Sequence, residues 1–216
     1  RGKLKIRGGS MQRIWLGISL AVIASVVSAQ SATAPVWKNP IVKKGYLHSP
    51  ICEASPFVLN NKLYRLETWQ AYWDLPAPAP EGKNYQNDTV RIVDVETNKI
   101  VGVAFKQHAF ATAFVWEGRV YVFASKWIDG PLPRSAYSID MTSSADLVHW
   151  SEPVTIIKTQ KPERTFNTAV CRAGDHFVML YESDDPKYVP FTFKYFTSTD
   201  LKHWTPVPKA LYGQNK

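Results

Sequence analysis

Along the chain, short runs of apolar residues alternate with polar positions and break at polar turns, and one such arrangement occurs three times. The copies are Ser55-Pro-Phe-Val-Leu-Asn-Asn-Lys-Leu-Tyr-Arg-Leu-Glu67, Thr112-Ala-Phe-Val-Trp-Glu-Gly-Arg-Val-Tyr-Val-Phe-Ala124 and Thr168-Ala-Val-Cys-Arg-Ala-Gly-Asp-His-Phe-Val-Met-Leu180. A period of two predicts strands with one buried face. The dipeptides Asn60-Asn61, Glu117-Gly118 and Ala173-Gly174 supply residues that tolerate the positive φ of tight hairpins. Each copy therefore reads as a β-hairpin. The aromatic residues Tyr64, Tyr121 and Phe177 hold the same place in each, 57 and 56 residues apart.

A second element recurs in phase: Ser144-Ala-Asp-Leu-Val-His-Trp150 and Ser198-Thr-Asp-Leu-Lys-His-Trp204, with a degenerate copy at Arg91-Ile-Val-Asp-Val-Glu-Thr-Asn-Lys99. Here an apolar strand ends in a turn where Asp bonds backbone amides and Trp packs on the next strand. Two hairpins per period make a four-stranded antiparallel blade, and such blades arranged radially form a β-propeller. The expectation is an all-β chain with blades at about 50–105, 106–160 and 163–212. Propellers generally close with about four to eight blades, so further C-terminal blades, or a partner covering the open edge, are expected. The segment Ala77-Pro-Ala-Pro-Glu-Gly82 reads as a loop inside the first blade.

The N-terminal part has a different character. Residues 1–10 read as an extension upstream of Met11. From there, Arg13, an apolar run from Ile14 to Val27 and the small residues Ser28-Ala29 have the three regions of a signal peptide over 11–29, with cleavage after Ala29. That predicts a secreted or periplasmic protein over 30–216 with no stable membrane insertion after cleavage, since the apolar run is shorter than the roughly 20 residues a bilayer requires.

Charge confirms the division. The formal charge is +8, but five of the 26 basic residues (Arg1, Lys3, Lys5, Arg7 and Arg13) precede Ala29. That leaves 21 basic residues against 18 acidic ones, too even a balance for a nucleic-acid partner. The 45% hydrophobic and 13% aromatic content suits a packed core. The two cysteines, Cys52 and Cys171, fall in different blades at unequal heights, which predicts two free, buried thiols rather than a bridge. No ligand cluster or phosphate loop calls for a metal or cofactor.

Antiparallel connectivity brings the start of each blade's first strand and the end of its second to one rim. Carboxylates, Trp and Tyr collect there, a composition suited to sugars: rings stack on pyranose faces and carboxylates accept hydroxyl protons. Glycoside hydrolysis needs two carboxyl groups flanking the scissile bond. Glu53, with Glu182 or Asp184, is the candidate catalytic set, and Trp69, Trp73, His108, Trp127, Arg164 and Asn167 are candidate substrate contacts. Each also admits a structural reading. Glu53 could cap a loop, Glu182 and Asp184 could belong to a solvated acidic turn, His108 could be a satisfied core histidine, and Trp69 and Trp73 could pack the blade.

The Ser-x-Asp-Leu-x-x-Trp element together with the Ala-Phe-Val-x-x-Gly-x-Val-Tyr-Val-Phe hairpin resembles the five-bladed propellers of glycoside hydrolase families 43 and 32, over roughly Ile51 to Lys216. The resemblance implies an exported glycosidase acting on a poly- or oligosaccharide, with five blades in the complete protein. In family 43 an Asp before a Pro opens the first blade, and Ser55 stands there before Pro56. Glu53 lies one residue further from Pro56 than the family's acid. A non-catalytic sugar- or protein-binding propeller is therefore the alternative. A sialidase-like enzyme is a third reading, with Leu147 and Leu201 standing where the sialidase Asp-box has Gly.

Overall fold

The computed structural model describes residues 42, 51–70, 88–128 and 136–212. The expected signal peptide over 11–29, the expected loop at Ala77–Gly82 and Trp73 lie outside the described residues. From Ile51 onward the described residues belong to one unit, made of three four-stranded antiparallel sheets without a helix. The first sheet runs β1 (Ile51–Leu59), β2 (Lys62–Trp69), β3 (Thr89–Asp94) and β4 (Ile100–Lys106). The second runs β5 (His108–Trp116), β6 (Arg119–Trp127), β7 (Ala136–Ser144) and β8 (Val154–Lys158). The third runs β9 (Thr165–Ala173), β10 (His176–Ser183), β11 (Thr192–Ser198) and β12 (Thr205–Tyr212). Each sheet is a meander in sequence order, and the first strand β5 of the second blade packs against both β1 and β9. Three blades of a β-propeller result.

Turn chemistry fixes the first hairpin of each blade. Asn60 and Asn61 have φ of 51° and 60°, and Glu117 and Gly118 have 48° and 72°, as two-residue turns between right-twisted strands require. In the third copy His176 pairs with Ala173, so the loop is Gly174-Asp175, one residue beyond the Ala173-Gly174 expected from the repeat. Gly174, at φ 65°, opens that turn.

The alternation then decides what is buried. On β10, Phe177, Met179, Tyr181 and Ser183 are buried while their neighbours are only partly covered. Phe177, Met179 and Tyr181 share a core with Phe123, Ile139 and Met141 of the second blade. A corresponding core joins Phe57, Leu66 and Ile92 of the first blade to Val120 and Val122 of the second. Burying each large side chain is worth about 1.5–3 kcal/mol, so these shared cores hold adjacent blades together.

The Asp turns clasp each blade to the one before it. Asp146 Oδ1 accepts N–H bonds from Val148 and His149 at 3.0 and 2.8 Å, and Asp200 does the same with Lys202 and His203. Asp94 accepts from Glu96 and Thr97, so the degenerate first copy performs the same capping. Held this way, Leu147 enters the core of the first and second blades and Leu201 that of the second and third. Both leucines adopt positive φ, 68° and 65°, a conformation that favours glycine. Their burial explains why a side chain is kept there.

One expectation about the thiols is corrected. Cys171 is exposed, because strand alternation on β9 turns it away from the core that Val170 faces.

Candidate functional site

All three innermost strands carry a β-bulge at the same height. Ile51 pairs with Trp69 and Ala54 with Glu67; Ala109 pairs with Ser125 and Thr112 with Phe123; Thr165 pairs with Ser183 and Thr168 with Tyr181. Each first strand thus inserts one extra residue at the rim. Bulges interrupt pairing and re-aim side chains, and they are common beside binding sites. The residues so displaced include Glu53, Phe110, Phe166 and Asn167. Glu53, Phe110 and Phe166 each precede the repeat's aromatic residue (Tyr64, Tyr121, Phe177) by 11 positions.

Between the second and third blades the bulges build an aromatic platform. Phe166 stands 5.5 Å from Phe110 and 5.1 Å from Phe191, and Phe110 meets Trp127 edge-on at 5.4 Å. Phe110 and Phe191 hold positive φ, 57° and 64°, and Phe191 remains 57% exposed. The Arg164 guanidinium lies over Phe166 at 5.4 Å. Ser125 Oγ lies 3.1 Å from both Thr165 Oγ1 and the Phe166 carbonyl, which fixes this bulge to the second blade. Sequence reading missed Phe110, Phe166 and Phe191. The signal available was the common offset of Phe110 and Phe166 from the repeat aromatics.

Beside the platform, Asn167 Nδ2 donates to Glu182 Oε2 at 2.9 Å. Both side chains are half-buried, so the amide orients a carboxylate that solvent still reaches. Glu53 is also half-buried, on the bulge of the first blade. Trp69 is half-buried, with the Arg91 guanidinium over its ring at 5.5 Å. Next to it the buried Glu67 pairs with Arg65 and, at 2.9 Å, with Arg91. This arginine pair holds the end of β2 rigid at the rim.

Three expected site residues take other positions. Asp184 is engaged by Arg164: the Arg164 backbone N–H donates to Oδ1 at 2.6 Å and the guanidinium pairs with Oδ2. Paired this way, Asp184 clamps the start of β9 and is less free to act on a ligand than Glu182. His108 is 5% exposed; its Nδ1–H donates to the Lys106 carbonyl at 2.7 Å and its Nε2 pairs with Asp140 at 3.1 Å. The ring stacks on Phe105 at 4.3 Å, so no ring nitrogen is left for a ligand. Burial pushes the Asp140 carboxyl up, but hydrogen bonds from His108 and Thr155 outweigh it and hold the group below the ordinary carboxylate value. Trp127 is 4% exposed and donates Nε1–H to Asp88 at 3.1 Å, which ties the second blade to the first. It supports the platform from beneath rather than offering a face to a ligand. Among the described residues, no group of three or more His, Cys, Asp or Glu side chains is placed to hold a metal ion.

No protein-family model and no curated protein matches the sequence. Solved structures do match. A thermostable family-43 glycoside hydrolase superposes with a TM-score of 0.51 at 12% identity, over 72% of this chain and 53% of that one. A family 117 glycoside hydrolase produced by the marine bacterium Zobellia galactanivorans gives 0.53 at 14% identity, over 72% and 54%. The chain spans about half the length of these structures. By fold, then, the chain is three blades of a β-propeller of the kind on which these glycoside hydrolases are built.

Proposed function

We propose that the chain forms part of an exported carbohydrate-active propeller, completed to five blades, whose bulged rim binds a poly- or oligosaccharide and hydrolyses its O-glycosyl bonds. The observation that carries this reading is the pairing of Asn167 with Glu182 beside a phenylalanine platform of which Phe191 is exposed, built where β5 and β9 each carry a bulge. Phe166 and Phe191 offer apolar faces to the C–H side of a sugar ring. Arg164, fixed by Asp184, donates to ring hydroxyls above Phe166.

In this mechanism Glu182 and Glu53 supply the two carboxyl groups. One protonates the departing glycosidic oxygen; the other attacks the anomeric carbon or activates water on the opposite face. Asn167 orients Glu182 by donating to one of its oxygens. The test is release of reducing ends from a panel of oligosaccharides by the full chain and its Glu182→Gln variant. The amide keeps an oxygen to accept from Asn167, so the fold should persist while turnover falls by about a hundredfold or more. Unchanged turnover in the variant overturns the assignment.

The engagement of Asp184 by Arg164 favours a second reading, a sugar-binding propeller without catalysis, because it removes one of the three carboxylates the rim offered. Saccharide binding with no reducing-end release by the unaltered chain would decide for it.

A further inference from the structure

Away from the rim platform, a cleft of about 930 Å3 opens along the boundary between the second and third blades, with β8 and the segment leading to β9 on one side and β11 and β12 on the other. Its floor is a closed network. Lys194 Nζ donates to Glu163 and to Asp185, each at 2.8 Å, while Tyr181 Oη and Ser183 Oγ donate to Glu163 at 2.9 and 2.8 Å. Burial works against the Lys194 charge, but Asp185 and Glu163 outweigh it and raise its pKa above the ordinary value. The two acids of the lining are thereby committed to an internal lysine. Lys158, Lys161, Lys187 and Lys209 are exposed around the mouth.

The charge count makes this cleft unusual. Its lining holds five lysines and two carboxylates, a surplus of three positive charges. Residues 30–216 hold 21 basic and 18 acidic residues, the same surplus. The net charge of the chain beyond the leader is thus equalled by this one cleft.

Its walls also select among anions. β12 is an edge strand, the usual place for an extended peptide to add by backbone pairing. Here Pro206 and Pro208 remove N–H donors, and Lys209, at φ 66°, sits where the β11–β12 register shifts. Such an edge is blunted against strand addition. On this wall a ligand is held by side chains, by lysine heads and by the rings of Tyr188 and Tyr195. Those features suit a chain of pyranose rings bearing negative groups.

We propose that this cleft is a second carbohydrate site, distinct from the rim, that binds acidic saccharides bearing sulfate esters or uronate carboxylates. It rests on the carbohydrate reading above only for the class of ligand, not for the site. Lys158 on one wall and Lys209 on the other would grip successive anionic groups.

The experiment is isothermal titration of the full chain with a chondroitin sulfate hexasaccharide, hexagalacturonate, neutral cellohexaose, hexa-aspartate and hexathymidylate at about 0.15 M salt, where weak surface attraction is largely screened. The variants are Lys158→Gln/Lys209→Gln, which removes two charges and shortens each side chain by only one atom, and Asn167→Ala at the rim. The proposal expects an acidic hexasaccharide to bind, the lysine variant to weaken it about tenfold or more, and Asn167→Ala to leave it unchanged. Chondroitin sulfate carries both sulfate and carboxylate and hexagalacturonate carboxylate alone, so tighter binding of the first identifies a preference for sulfate and equal or tighter binding of the second shows that carboxylates suffice. No binding of either acidic saccharide, equal affinity in the lysine variant, or equally tight hexa-aspartate or hexathymidylate binding overturns it. Loss of neutral-sugar binding in Asn167→Ala reports on the rim alone, so the two readings fail separately.

Discussion

Gly102 on β4 and Leu147 in the Asp turn of the next blade are in such close approach that a Cβ on Gly102 would stand 1.9 Å from the Leu147 carbonyl oxygen. The obstacle is backbone, and that backbone is pinned by Ser144 and Asp146. Gly102→Ala should therefore destabilise the chain by about 2–4 kcal/mol in urea unfolding, as forced separation of packed elements does. Gly118→Ala is the control. It has a positive φ of 72° but nothing within 4 Å, so only conformational strain of about 1 kcal/mol is expected. Equal effects would mean that the two blades do not meet at Gly102.

Leu201 sets two effects against each other. Its φ of 65° costs about 1 kcal/mol relative to glycine, while its side chain, 1% exposed, fills the core beneath Phe123 and Met179. Leu201→Gly relieves the first and forfeits the second, which is worth about 2–5 kcal/mol for a buried leucine. Packing should win, with a lower urea midpoint in the variant. A higher midpoint would show that the turn, not the core, dictates this position.

Acid should loosen the Asp turns. The Lys62 ammonium beside Asp94, with the amides of Glu96 and Thr97, holds that carboxyl at about 2 against an ordinary 3.8. His149 and backbone amides depress Asp146, and the His203 amide and ring depress Asp200. Groups depressed in the folded state stabilise it above their unfolded pKa, and that contribution is lost as pH falls through the folded value. Stability should therefore decline from about pH 4 downward and continue to fall through about pH 2. Asp94→Asn should flatten part of the decline in thermal melts taken across that range. A variant with an unchanged slope would contradict the assignment.

Much of the fold is legible in the residues because it depends on local chemistry. Asn60-Asn61 and Glu117-Gly118 announce their turns, and the 57- and 56-residue spacing of Tyr64, Tyr121 and Phe177 announces the blades. The rim is less legible, for one physical reason. A bulge adds a residue without leaving a signature of its own, and it reverses which side chains face inward. His108 and Trp127 fall at the expected strand ends but point into packing, while Phe110 and Phe166 gain the rim. Partners distant in sequence are also invisible beforehand. Nothing near Asp184 indicates that Arg164, 20 residues earlier, neutralises it. The strand-end argument brings Arg164 and Asp184, like Asn167 and Glu182, to one rim, but it does not tell which side chain pairs with which.

Neutral-oligosaccharide binding by the full chain, titrated calorimetrically for the unaltered sequence and for Asn167→Ala and Phe191→Ala, tests the rim most directly. Phe191 is exposed and Asn167 half-buried, so both variants should keep the melting temperature within a few degrees. The account predicts saturable binding by the unaltered chain that weakens about tenfold or more in each variant, since each removes one element of the platform. Binding of equal strength in all three proteins would contradict the claim that the bulged rim is the saccharide site.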